Sequence, residues 1–317
     1  MRRLHKLDAR IPSWDPRGLV ERSCPFCGDD GEARFVRPDG LTVKCCDTCG
    51  ASFVSPAPDE NQLRAFYSTY FARHRGRRRP NARAVLNARP WDDFRVVEIA
   101  SHTGLSGRRV LDVGCGWGTL LRRFQKLGAS VVGTDLDPEA VRFAQERIGL
   151  PSVKVGTLEE LAPQESFDVI CMCDFIEHPL DPLQELERAV SLLVPEGIIA
   201  IWTPNASSAR DDEDPIAFRV DQEHMQYLST QTCQWLARKL DLSILHIESV
   251  GFAGLNGIGT SQRRNGRRGI ASSFKRLAPG LPGWHALRTI RERFLPRRTP
   301  NPRSGTYHLF CILRKGA

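Results

Sequence analysis

Three glycines, at 114, 116 and 118, directly follow the short apolar run Arg109–Val113 and open a segment, Gly118–Leu127, whose apolar residues recur at helical spacing. A strand that turns into a helix through G-x-G-x-G brings bare backbone close to whatever lies at the turn. Glycine has no Cβ to hold a neighbour away, and a helix N-terminus offers N–H groups with no partner inside the helix. The spacing differs from the G-x-G-x-x-G of dinucleotide binders. Two acids frame the turn. Asp112 stands two residues before the first glycine, and Asp135 ends the next apolar run, 17 residues after Gly118. An acid at that second strand end suits the two hydroxyls of a ribose.

The alternation continues along the chain. Ser130–Gly133, Val153–Val155, Phe167–Cys173, Gly197–Trp202, Ser243–Val250 and Thr306–Arg314 read as strands. Pro138–Ile148, Pro182–Leu193 and Gln231–Leu240 read as helices, two of them with Pro in the first turn. Strands alternating with helices predict an α/β fold, its mostly parallel sheet covered on both faces.

Four segments in order resemble the class I methyltransferases that use S-adenosylmethionine. They are Asp112-Val-Gly-Cys-Gly-Trp-Gly118, Val132-Gly-Thr-Asp-Leu-Asp-Pro-Glu-Ala140, Phe167-Asp-Val-Ile-Cys-Met-Cys-Asp-Phe-Ile-Glu-His178 and Leu193-Val-Pro-Glu-Gly-Ile-Ile-Ala-Ile-Trp-Thr-Pro-Asn205. The last two are similar to the branch that holds the ubiquinone-biosynthesis O-methyltransferases and many sugar- and natural-product-modifying relatives. The resemblance covers about residues 108–250 and implies a Rossmann-like fold with a seven-stranded sheet. It also implies a cofactor site in which Asp112, Gly114, Cys115, Gly116 and Gly118 surround the methionine part. Asp135 then holds the ribose and Leu136 packs on adenine, while Thr157, Leu158 and Asp174 complete the wall. Thr157 departs from the family, which carries an Asp there to meet the adenine amino group.

Ten cysteines raise the question of disulfides. Five of them (Cys24, Cys27, Cys45, Cys46, Cys49) crowd into 26 residues, and the rest lie in apolar or Gly-rich contexts that read as core. Cys24-Pro-Phe-Cys27-Gly and Cys46-Asp-Thr-Cys49-Gly, with 18 residues between them, read as two knuckles that hold one structural Zn²⁺ in a small N-terminal ribbon. Cys45 is an alternative to Cys46, though the C-x-x-C-G repeat favours Cys46. A redox pair is the competing reading of the motif. With Phe53-Val-Ser-Pro-Ala-Pro58 and the Tyr/Phe helix after it, the arrangement resembles the N-terminal ribbon of some polysaccharide-locus methyltransferases.

Methyl transfer to a hydroxyl asks mainly for positioning and a base. Candidates at the end of the fourth strand are Glu177 and His178, with His224 of Asp221-Gln-Glu-His-Met-Gln-Tyr-Leu228 as a third. Asp174-x-x-Glu177-His178 resembles the Glu-x-x-Glu-His with which the ubiquinone enzymes bind a divalent ion, so an ion such as Mg²⁺ is a further candidate. Glu177 and His178 as polar supports of a turn, and His224 as an ordinary surface residue, are the plainer alternatives. No Asn-Pro-Pro-Tyr follows the fourth strand, as it does in amino-methylating DNA enzymes.

The net charge of +8 is local. Residues 261–303 hold twelve Lys/Arg against Glu292 alone, which leaves the remaining chain at −3. Leu281–Leu295 can form an amphipathic helix with Leu287, Ile290 and Phe294 on one face. This segment is the candidate contact for an anionic membrane surface, a phosphorylated or lipid-linked substrate or, as a weaker expectation, nucleic acid. A solvated insertion packed on the domain is the plainer reading. The expected divisions are a tail (1–20), the zinc ribbon (21–58), a helical linker or lid (59–107) holding an Arg-rich loop (Arg73–Arg79), the methyltransferase core (108–255), the basic insertion (256–304) and a final core strand (305–317). The absence of a long apolar run or a secretory leader sets the expected location as cytoplasmic, with a peripheral membrane position through the basic segment. The expected acceptor is a small-molecule, sugar or glycan-type hydroxyl. An RNA methyltransferase and a non-catalytic scaffold are the alternatives.

Overall fold

The computed structural model describes residues 12–71, 79–162, 164–207, 216–219, 221–251 and 307–317. Nearly all of the Arg-rich loop and the whole 261–303 segment lie outside the described residues, and so does any contact expected of them.

Ordered structure begins before residue 21. Asp15 caps a 3-10 turn at Pro16–Gly18, and β1 (Leu19–Val20) pairs antiparallel with β5 (Ala57–Pro58), so pairing at Leu19 puts the ribbon's edge inside the expected tail. Strands β2 (Glu32–Val36) and β3 (Thr42–Cys45) form a hairpin, and β4 (Ser52–Val54) pairs with β3. Pro38-Asp39-Gly40 makes the hairpin turn, where Gly40, at φ +87°, donates to the Arg37 carbonyl at 2.8 Å.

Helix α1 (Glu60–Tyr67) starts on an Asp59 cap. Then α2 (Ala82–Asn87) and α3 (Phe94–Thr103) lead into the core. The core runs β6 (Arg109–Val113), α4 (Thr119–Lys126), β7 (Ser130–Asp135), α5 (Pro138–Phe143), β8 (Val153–Val155), β9 (Phe167–Cys173), α6 (Pro182–Ser191), β10 (Leu193–Pro204), α7 (Ile216–Arg219), β11 (Gln226–Tyr227), α8 (Thr230–Lys239), β12 (Leu242–Val250) and β13 (His308–Lys315). The expected helix to Ile148 is interrupted. Ala144–Ile148 is a π turn, closed by left-handed Gly149. The fifth strand is longer than expected, because an irregularity between Leu193 and Ile198 lets pairing with β9 start early.

Seven strands form one sheet in the order β12-β13-β10-β9-β6-β7-β8. All neighbours from β10 to β8 are parallel, whereas β13 runs antiparallel to both β10 and β12. Parallel strands buried on both faces read as near-continuous apolar runs. In β6, Leu111 and Val113 enter the cluster under α6 and α8, while Val110 enters the opposite one with Leu121, Phe124 and Val141. Strand order reverses between β6 and β9, and the crevice beyond the C-terminal ends of these two strands is where such sheets bind ligands. Among the described residues no helix is long and apolar enough to cross a membrane.

The ribbon is tied into the core. Strand β11, from the core sequence, pairs with β4, so the small sheet reads β11-β4-β3-β2. Beside it, the fully buried Arg37 pairs with Asp39 and donates to the carbonyls of Gln222 (2.8 Å) and His224 and to Tyr227 Oη (3.3 Å). Removing one partner of such a buried pair leaves the rest desolvated and unmatched. Arg37→Met is expected to lower the unfolding free energy by about 3–5 kcal/mol, read from urea denaturation followed by tryptophan fluorescence. A loss under ~1 kcal/mol is what a solvated, surface-like pair would give.

Candidate active site

The glycine turn is left-handed at all three positions, with φ of +70° at Gly114, +51° at Gly116 and +71° at Gly118. The reasons for glycine differ. A Cβ on Gly114 would come within 2.9 Å of the Phe175 ring, and one on Gly116 within 3.1 Å of Phe71, beside the cavity. One on Gly118 would strike Leu150 at 2.5 Å, which is a packing constraint between α4 and the chain after α5.

Beyond the turn lies a cavity of about 550 Å³. Its floor is the end of β6 and the turn, and one side is Thr134, Asp135 and Leu136 at the end of β7. Gly156 and Thr157 form a second side, and the end of β9 forms the third. Asp135 accepts from the backbone N–H of Gly116 (2.7 Å) and of Asp137 (2.9 Å). Burial pushes its pKa up to about 6 against those two bonds. Asp112 is fully buried, and desolvation carries it up to about 8, opposed by the nearby Arg95.

The far side of the cavity joins the expected His178 and His224 to residues with no signature in the sequence. His178 Nδ1 lies 2.6 Å from Tyr67 Oη, which also donates to the Glu223 carbonyl at 3.1 Å. Tyr67 has one proton. With that proton on the carbonyl, His178 must donate through Nδ1, and its lone pair is then on Nε2. His224 packs against His178 with ring centroids 4.9 Å apart, and Tyr70 donates to Glu223 Oε1 at 2.8 Å. Phe71 covers Gly116 and packs on Trp117 at 4.6 Å, its backbone N–H held by Asp137. Tyr67, Tyr70 and Phe71, together with Arg95, Tyr307 and His308, are among the lining residues that sequence reasoning missed. Tyr67 reads in the sequence as one more apolar position of α1, and its hydroxyl partner is 111 residues away.

Of the residues expected at the site, Asp112, Gly114, Cys115, Gly116, Asp135, Leu136, Thr157, Asp174, His178 and His224 border this cavity. Gly118, Leu158 and Glu177 do not. Leu158 is wholly buried in the core, and Glu177 sits behind the histidines at zero exposure. Among the described residues both Glu177 carboxyl oxygens are buried without a hydrogen-bond partner, and burial, with Asp174 nearby, pushes its pKa well above the carboxylate range. Ligating atoms of Glu177, His178 and His224 all lie within 4.8 Å of one another. Asp174 is outside that group, held in a left-handed conformation (φ +54°) with Arg95 at 3.4 Å. The expected Asp174-Glu177-His178 set therefore does not assemble, and His224 takes the third place.

The four ribbon cysteines do assemble. Sγ separations are 3.5 Å for Cys24–Cys49, 3.3 Å for Cys27–Cys46 and 3.6 Å for Cys46–Cys49. The two knuckles repeat one turn, since Gly28 donates to the Cys24 carbonyl (2.9 Å) and Gly50 to that of Cys46 (3.0 Å). Cys45 is outside this group and lies 3.3 Å from Ser52 Oγ, which decides between Cys45 and Cys46.

The family described as "Methyltransferase domain" matches over residues 73–247. The chain belongs to that methyltransferase family. Its similarity to the ubiquinone biosynthesis O-methyltransferase of Xanthomonas campestris pv. campestris is 38% identity over 117 residues, 35% of this chain and 49% of that protein. For the enzyme of the same name from Rhodopseudomonas palustris it is 40% over 107 residues, 32% and 42% of the two chains. The chain thus spans about half the length of the curated relatives it matches or less. Among solved structures, magnesium protoporphyrin IX methyltransferase from Synechocystis PCC 6803 with bound SAH superposes with a TM-score of 0.50 at 15% identity, over 81% of this chain and 100% of that one. That likeness is one of fold, the Rossmann-like class I methyltransferase fold.

Asp112 yields a pH prediction. A freely solvated aspartate titrates near 3.8 and the folded group near 8, so between these values the folded state holds a proton that the unfolded state releases. The stabilisation this gives is complete below the lower value and is lost as pH rises through the upper one. Asp112→Asn should match the parent near pH 4 and become the more stable protein by on the order of a few kcal/mol near pH 8, measured by denaturant titration across that range.

Proposed function

We propose that this chain transfers a methyl group from S-adenosylmethionine to a hydroxyl of a small-molecule, sugar or glycan- or lipid-linked acceptor. The observation that carries the reading is the meeting, in one cavity, of Asp135 at the end of β7 with His178 and its Tyr67 partner at the end of β9.

The donor set fits the cofactor. Gly114 and Gly116 present backbone with no room for a Cβ, and Asp135 offers a carboxylate to vicinal hydroxyls. Leu136 and Thr157 border the side expected for adenine, where Thr157 supplies a hydroxyl in place of the family's carboxylate. When bound, S-adenosylmethionine supplies an electrophilic methyl group on a sulfonium. The chain's own contribution is position and a base. Tyr67 fixes the His178 ring and its tautomer, and Nε2 takes the acceptor's hydroxyl proton as the C–O bond forms. Tyr70 and Phe71 add aromatic surface to the cavity wall beside the glycine turn.

A second reading rests on Glu177. Its buried carboxyl beside His178 and His224 makes a set of two imidazoles and one carboxylate, which suits a transition ion such as Zn²⁺ or Mn²⁺ rather than the Mg²⁺ expected from the motif, and such an ion would polarise the acceptor oxygen. Independence from added Zn²⁺ or Mn²⁺ supports the base reading, and dependence the ion. The ribbon, in the same proposal, holds a structural Zn²⁺. Four thiolates at separations of 3.3–3.6 Å are close to the ~3.7 Å edge of a tetrahedron with Zn–S bonds of ~2.3 Å, and four thiolates leave no open position.

Asp135→Ala is expected to weaken S-adenosylmethionine binding by about 10–100-fold in isothermal titration. His178→Gln should keep that affinity within about twofold and lower SAH release with phenolic and sugar acceptors by roughly 10²–10⁴-fold. Unchanged binding in Asp135→Ala would sink the cofactor assignment, and unchanged turnover in His178→Gln the base.

A further inference from the structure

A second cluster of metal-ligating side chains lies outside the cavity and the ribbon. Glu98 and His102 are four residues apart on α3 and so share one face of the helix. His246 reaches them from β12, the edge strand of the seven-stranded sheet. One ligating atom from each of the three lies within 4.8 Å of the others, and all three side chains are half-buried.

Strand β12 is bent to make this meeting. Its register with β13 slips between Ile244 and His246, so Leu245 is an extra, bulged residue. The bulge breaks the alternation of a strand. Leu245 packs on the α3 side of the sheet, and the next residue, His246, faces the same side, 5.7 Å from the Phe310 ring and 5.8 Å from His102. Among the described residues His246 Nε2 is a buried atom with no hydrogen bond. Glu248 Oε2 stands 3.3 Å from it, an ion pair when the ring is protonated but outside hydrogen-bonding geometry. That separation equals the edge of a tetrahedron with bonds of ~2.0 Å, the length of Zn–N and Zn–O bonds.

We infer that Glu98, His102 and His246 form a binding site for a first-row divalent transition ion, with Glu248 placed as a further carboxylate beside it. Two imidazoles and a carboxylate suit Zn²⁺, Co²⁺ or Ni²⁺ and not Mg²⁺ or Ca²⁺, which prefer all-oxygen shells. The ion would cross-link the last turn of α3 to the edge strand of the sheet. The first turn of α3 carries Arg95, which borders the cavity, so the link bears on the helix that supports the active site.

Equilibrium dialysis of the full-length chain against micromolar free Zn²⁺, with bound zinc counted by atomic emission, tests this directly. The parent is expected to hold one zinc more than His246→Gln or His102→Gln, while Glu146→Gln, outside every cluster of ligating side chains, holds as many as the parent. Thermal melts accompany each variant, and if one fails to fold, Glu98→Gln carries the same expected loss. Equal zinc in the parent, His102→Gln and His246→Gln overturns the site, and so does loss in His178→Gln alone.

Discussion

A guanidinium sealed from water must be satisfied by whatever surrounds it, and Arg37 is sealed completely. It lies at the turn of the ribbon hairpin, yet three of its partners, the carbonyls of Gln222 and His224 and the Tyr227 hydroxyl, belong to the core sequence. That geometry leaves the loop between α7 and β11 little freedom. The loop carries His224 at the cavity and Glu223, which receives the hydroxyls of Tyr67 and Tyr70. A four-cysteine module at one end of the chain thereby fixes backbone beside the candidate base.

The cofactor half of the cavity is stabilised differently. Asp112 and Asp135 are buried carboxyls whose titration is displaced upward by desolvation. Both sit where a ligand rich in hydroxyl and amino groups would meet them, and the cost of burying them falls on the ligand-free fold. Asp135 is partly compensated by two backbone N–H groups, one of them from Gly116 itself. The glycine turn therefore does two things, leaving room at the cavity and turning an amide toward the acid. Gly118 shares the motif and does neither. It is glycine because Leu150 occupies the space.

The parallel sheet was legible because its signals are local. Arg109–Val113 and Phe167–Cys173 fall where apolar period and flanking Gly, Pro and Asp place them. The four-cysteine group was legible because a C-x-x-C-G knuckle carries its own turn. What was hidden depends on long separations. Nothing in Gln226-Tyr227 marks it as a strand of the ribbon sheet, and its partners Ser52 and Phe53 lie more than 170 residues earlier. Glu177 misleads for a related reason. Its motif departs from the family's only in Asp174 for Glu, but burial turns the carboxyl behind the histidines, and Asp174 is drawn to Arg95 on a helix whose sequence carries no signal of that contact.

Tyr67, Tyr70 and Phe71 complete the case that the N-terminal segment is part of the site. Helix α1 is held from two directions. Gln62 accepts from Asp15 N–H and donates to the Gly18 carbonyl, binding the helix to the chain ahead of the ribbon, while Asp59 caps its first turn. Past its end, Phe71 N–H is held by Asp137, the residue that also caps α5 next to Asp135. One short helix thus spans from the ribbon to the wall on which Asp135 sits, and it delivers Tyr67 to His178 on the way. Among the described residues, hydrogen bonds tie the N-terminal segment to the base side through Tyr67 and the loop at His224, and to Asp137 on the cofactor side through the Phe71 N–H. Beneath the glycine turn, Cys24, Phe26 and Phe53 of the ribbon share an apolar cluster with Leu111 and Val113 of β6. The base side is therefore bound to the N-terminal segment chiefly by hydrogen bonds, and the cofactor side chiefly by packing.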